Sequence, residues 1–98
     1  MTLTITKVRR TLARMRFSTV HACRLRRIAI VNLARYERSV AMGGEIDLEA
    51  LFTVYCQINW LIDHVHEIRD KQVTPSQKLF LAQAFAYLFN TYEQQRGV

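Results

Sequence analysis

Three glycines and one proline are all the punctuation in 98 residues. So few breakers exclude an all-β domain, which needs turn residues roughly every ten positions. Only two cysteines are present, Cys23 and Cys56, too few for the disulfide framework of a small secreted domain. The N-terminus lacks the continuous apolar core of a secretory signal peptide. The uncharged stretch 79–92 has an apolar run of about eleven residues, well short of the ~20 that span a bilayer. A soluble, cytoplasmic protein with free thiols and no membrane contact is therefore expected. An Arg-rich start without acids is also the composition of a mitochondrial targeting peptide.

The most informative absence is of negative charge. No acid precedes Glu37, whereas residues 1–38 hold ten basic side chains and a net charge of +9. The remaining sixty residues carry −3, which gives the overall +6. The chain reads as one α-helical domain over 1–98, with a basic helical arm (about 1–42) and a mildly acidic, apolar body (about 45–98). Half of the residues are hydrophobic, enough for a packed core rather than a disordered basic tail.

Helical periodicity is strong throughout. Ile5, Val8, Leu12 and Met15 share one face of a first helix over about 4–16. β-Branched residues in the segment Phe17-Ser18-Thr19-Val20 weaken helix, and Ser18 there is a candidate N-cap. The spacing predicts two helices with a kink, although the apolar period also runs through 15–22 as one rod would require. A second helix, 19–42, places Ala22, Leu25, Ala29, Leu33, Tyr36 and Val40 on one side and ends at Gly43-Gly44. Asp47 caps a third helix, about 47–70, with a broad apolar face from Leu51 to Ile68. Thr74-Pro75-Ser76-Gln77 is a capping box with Pro at N1, opening a fourth helix over about 75–94. That helix carries no charge from Leu79 to Tyr92 and is apolar nearly all round, so a central position or a subunit interface is expected. The fold class is all-α: a small bundle of three to four helices with a central antiparallel helical hairpin across the glycine pair. No internal repeat is evident.

The arginines carry the functional signal. Arg24, Arg27, Arg35 and Arg38 fall within an arc of roughly 80° on the second helix, and the first adds Arg9, Arg10, Arg14 and Arg16. Solvated faces ordinarily interleave both signs; this one has no acid. Eleven arginines against three lysines matter because guanidinium binds phosphate or carboxylate through two parallel hydrogen bonds. The eight arginines are therefore candidates for binding nucleic acid, DNA or RNA with little base readout, or an acidic protein partner. A helix-turn-helix reader is excluded, because the helix that would enter the major groove is acidic on its polar side.

Trp60 lies off the core stripe of the third helix, either covered by a neighbouring helix or exposed as an interface anchor. With Phe80 and Tyr87 it forms a candidate protein interface. His64 and His66 point about 160° apart on a helix and cannot share an ion. No metal or cofactor is expected. In a hairpin centred near residue 44, Cys23 lies near His66, Arg24 and Arg27 near the acids of Asp63–Asp70, and Cys23 about 15 Å from Cys56. No order of nucleophile, base and oxyanion donor is present, so no enzyme is expected.

These features predict a small non-enzymatic regulatory or accessory protein that contacts the phosphate backbone through an Arg-rich helical surface, as a homodimer through the fourth helix. The alternative is a protein-binding antagonist or chaperone, of the phage or plasmid inhibitor type, whose arginines and aromatics block an acidic or nucleic-acid-binding groove. A third arrangement is self-assembly, the Arg stripe of one copy meeting the third helix of another.

Overall fold

A computed structural model describes residues 2–97. Among these residues the chain forms four α-helices: α1 (Ile5–Arg14), α2 (Val20–Ala41), α3 (Leu48–Ile68) and α4 (Pro75–Arg96). There is no strand among them. Each start is capped by a side-chain oxygen that takes one of the unpaired amides of the first turn. Thr4 accepts from the N–H of Lys7, Asp47 from Ala50 and Thr74 from Gln77. At Thr74 the reciprocal bond from Gln77 completes the capping box, with Pro75 at N1. At the start of α2 the cap is Thr19, which accepts from Ala22. The Ser18 amide has a different role, described below.

The first two helices are separate. Met15 is extended (φ −73°, ψ 148°) and so is Thr19, and an elbow over 15–19 turns the chain with Met15 and Phe17 buried. Burial of these two side chains decides between a rod and a bend. A continuous helix would leave Phe17 off the apolar face.

The helices pack in the order α1, α2, α3, α4, each against the next. Val8 and Leu12 of α1, Ala29 and Leu33 of α2, five apolar residues from Leu51 to Val65 on α3, and Leu81 and Leu88 of α4 share one core. The inner helices are thus α2 and α3, each between two neighbours, and not α4, whose stretch 79–92 carries no charge. The reason is geometric: α3 offers an apolar face broad enough for two neighbours. The rim of α4 is lined by rings instead, and Tyr55 lies 5.9 Å from Phe85 and 5.6 Å from Tyr92 between centroids. Leu79 and Phe89 remain on the outside of α4.

The α2–α3 hairpin has a register different from the symmetric one. Gly43 adopts the left-handed region (φ +68°), and the chain then doubles back along the last turns of α2. The Asp47 amide donates to Ser39 Oγ at 3.0 Å, and Arg35 Nη2 lies 3.1 Å from Asp47 Oδ2. Residue 47 is therefore level with residue 35. Thr19 consequently meets His64 (2.8 Å), and the ring of His21 meets that of Trp60 (6.4 Å). His64, and not His66, faces α2, while His66 is exposed. Cys23 and Cys56 are both free thiols. They are kept apart less by distance along the axis than by lying on different faces of the hairpin.

Candidate functional site

Two recesses open at the elbow. The larger, of about 810 Å³, is lined by Arg14, Arg16 and Arg26 together with Phe17, Cys23 and Gln72. The smaller, about 340 Å³, is lined by Arg24 and Arg27 with Val20 and Thr19. Phe17, Ser18 and Cys23 border both, so five guanidinium groups surround one bend in the chain. No carboxylate lines either recess.

The elbow is fixed from outside itself. Asp70, in the α3–α4 turn, is 3% exposed. Its Oδ2 accepts from the Ser18 amide at 2.9 Å and its Oδ1 from the Gln72 amide at 2.9 Å. Burial pushes the Asp70 carboxyl up, but the Ser18 and Gln72 donors and the nearby His64 outweigh it and hold it below its ordinary value. The one carboxylate near the recesses is therefore engaged by backbone amides. Arg26 donates to the Met15 carbonyl oxygen, and the Cys23 thiol to that of Phe17 at 3.6 Å. These bonds satisfy carbonyls of the elbow, and they set Arg26 at the recess wall.

The eight candidate arginines separate into two groups. Arg9 is committed internally: its Nε lies 2.6 Å from Glu37 Oε1 while Thr6 donates to Glu37 Oε2 at 2.8 Å. The hydrogen bond and charge of Glu37 raise the Arg9 pKa. Burial pushes Glu37 up, and the Arg9 and Thr6 donors bring it below its ordinary value. Arg35 is exposed but shared with Asp47. Arg10, Arg14, Arg16, Arg24, Arg27 and Arg38 are exposed, and none forms an ion pair among the described residues. The expected pairing of Arg24 and Arg27 with the acids of Asp63–Asp70 does not occur. In the offset register these arginines point away from α3, and Asp63 and Glu67 lie on its outer face.

Two features of the surface were not visible from charge alone. Arg26 belongs to the elbow although it lies off the Arg stripe, because a bend brings together side chains that a helical wheel separates. The stripe on α2 also repeats every eleven residues. Val20 is followed by Arg24 and Arg27, then Val31 by Arg35 and Arg38, then Met42. Eleven residues make close to three turns, so the members of such a repeat line up along the axis. Val20, Val31 and Met42 are 77%, 53% and 83% exposed, each flanked by guanidinium groups. Counting spacings of eleven would have found this pattern in the sequence.

Trp60 is 62% exposed. It borders an open groove of about 370 Å³ between α2 and α3, shared with His21, Leu25, Phe52, Cys56 and Gln57. Phe80 and Tyr87 are half-buried against the core and border a separate recess with Leu3 and Lys7. The three aromatics thus lie in two places. Among the described residues no three His, Cys, Asp or Glu side chains cluster as metal ligands would, and no helix is long and apolar enough to cross a membrane. No known protein family, curated protein or solved structure matches this chain.

Proposed function

We propose that this protein is a small nucleic-acid-binding regulatory or accessory factor that grips the phosphate backbone through the arginines of its elbow and of α2. The observation that carries the reading is the convergence of Arg14, Arg16, Arg24, Arg26 and Arg27 on two adjoining recesses that no carboxylate lines. Arg14, Arg16, Arg24 and Arg27 have no ion-pair partner among the described residues and keep their full capacity for bidentate bonds to phosphate oxygens, while Arg26 also donates to the Met15 carbonyl. The C-terminal end of α1 favours a cation such as Arg14 through its exposed carbonyls, which places positive charge at the bend. On this reading recognition is of backbone charge and shape, with little base readout.

Fluorescence anisotropy with a random-sequence duplex and with single-stranded RNA tests this. Five phosphate contacts predict that affinity falls by about two to three orders of magnitude between 50 and 200 mM salt. Reversal of charge at Arg14, Arg16, Arg24 and Arg27 is expected to weaken binding about equally for all sequences. No binding at the lower salt, or binding indifferent to these substitutions, removes the proposal.

The second reading, a protein-binding antagonist, is favoured by Trp60 standing exposed over its groove. Exposed tryptophans at a groove are the usual anchors of protein interfaces. On that reading Trp60→Ala abolishes capture of an acidic target, whereas Arg14→Glu and Arg16→Glu weaken it only modestly.

A further inference from the structure

The outer faces of α2 and α3 lie side by side, flank the Trp60 groove and differ in sign. The α2 bank carries the arginine stripe with its exposed Val31 and Met42. The α3 bank carries exposed Glu49, Asp63 and Glu67 with exposed Phe52 and Trp60. Each bank is what the other would need as a partner: arginine beside aliphatic on one, carboxylate beside aromatic on the other.

We propose that this face binds a second copy of the chain, α2 of each protomer lying on α3 of its partner. Charge selects the symmetry. Two such faces can meet about a two-fold axis parallel to the helices or perpendicular to them. The perpendicular axis sets α2 on α2 and opposes the arginines to one another. The parallel axis sets α2 on α3 twice, antiparallel, and keeps every residue at its own height.

The heights are fixed by contacts within one chain. Thr19 is level with His64, His21 with Trp60 and Arg35 with Asp47. Across the parallel axis the same levels place Arg38 near Glu45, Arg35 near Glu49, Val31 near Phe52 and Arg24 near Trp60. Arg38 and Arg35 meet acids, Val31 meets Phe52, and a guanidinium lies by the indole, a favourable cation–π pairing; at the same levels Asp63 falls near Val20 and Arg27 near Cys56.

Area is consistent with the arrangement. The protomer exposes 6418 Å², against about 5,800 Å² for a compact monomer of this mass. A two-helix face about 33 Å long and 20 Å wide is close to the ~800 Å² per partner of a stable interface. Arg10, Arg14 and Arg16 lie on α1 and the elbow, outside this face. Arg24 and Arg27 belong both to this face and to the smaller recess of the elbow, so a dimer formed here would compete with nucleic acid for them, and the test therefore contains no nucleic acid.

The test uses a mixing rule on the full chain, read by sedimentation velocity at low salt. Arg38→Glu and Glu45→Arg concern exposed side chains without ion partners among the described residues, and circular dichroism checks that each variant stays folded. In the Arg38→Glu homodimer both contacts oppose two acids, and in the Glu45→Arg homodimer two bases. Each variant alone is expected to dimerise about tenfold more weakly or worse. An equimolar mixture restores both contacts and is expected to recover the wild-type dimer. Trp60 is the only tryptophan, so its emission shifts to the blue as wild-type dimer forms and to the red on dilution. A wild-type chain that stays monomeric over the whole concentration range overturns the proposal. So does a mixture that fails to recover the dimer, or a dimer untouched by both charge changes but dissolved by Leu79→Glu on α4.

Discussion

At one end of α2 the chain turns through residues 15–19 with Met15 and Phe17 buried. At the other it turns through 42–47 with every side chain from Met42 to Glu45 exposed. The first turn is clasped from far along the sequence by Asp70, which takes the Ser18 amide across 52 positions, and from nearer by Arg26 on the Met15 carbonyl. The second is held by neighbours: Ser39, Arg35 and Asp47 within a dozen residues. The elbow thus depends on the assembled core, while the glycine turn is written into its own residues. The arginine recesses belong to the elbow, so the geometry of the candidate site depends on the more distant set of contacts.

The largest test of this contrast is Phe17→Ala. It is expected to cost about 3 kcal/mol through the cavity it leaves, whereas Met42→Ala at the opposite turn changes stability by less than about 0.5 kcal/mol. Urea unfolding measures both, and equal effects would remove the asymmetry. Asp70→Asn comes next. It weakens charge-assisted bonds to two backbone amides and is expected to cost about 2 kcal/mol. Asp47→Asn leaves a good N-cap and loses only the exposed pairing with Arg35, at about 0.5 kcal/mol.

A third test uses pH. Glu37 and Asp70 both titrate below their ordinary values in the folded chain. The unfolded state therefore takes up protons first as pH falls. The stabilisation is complete above the unfolded carboxylate range, about pH 4, and is lost as pH drops through the folded values. Both groups hold α1 and the elbow. The protection of the Ser18 amide, taken relative to its intrinsic exchange rate at each pH, is accordingly expected to be lost in acid before that of amides in the middle of α3, and simultaneous loss would contradict the proposed division. Gly43→Ala is expected to have a smaller effect than Phe17→Ala or Asp70→Asn. No neighbour lies within 4 Å of the added Cβ, but φ is +68°, so the cost is conformational strain alone, about 1 kcal/mol.

The capped starts at Asp47 and Thr74, the turn at Gly43 and the buried stripes on each helix were legible because each is set by residues within a turn or two. Three things were not. The α2–α3 register depended on the chain doubling back onto Ser39, a path that residue spacing leaves open. The inner place of α3 depended on which apolar face could serve two neighbours, although it is α4 that has the long uncharged middle. The membership of Arg26 in the elbow depended on the direction of the bend. For the candidate site, the arginines could be named in advance, but not which of them would be used up internally. Arg9 is lost to Glu37 because α1 folds back along α2, a pairing across 28 positions.

By itself the sequence determined that the chain is all-α, that its N-terminal arm is overwhelmingly cationic, and where three of its four helices begin. Local periodicity, capping chemistry and charge count need no knowledge of the rest of the molecule. Tertiary structure alone decided the direction of the bend at 15–19, the five arginines gathered there, and the oppositely charged banks on either side of Trp60. Each of these depends on which distant groups share the low-dielectric core with Asp70 and Phe17, and on the heights at which two packed helices come to rest.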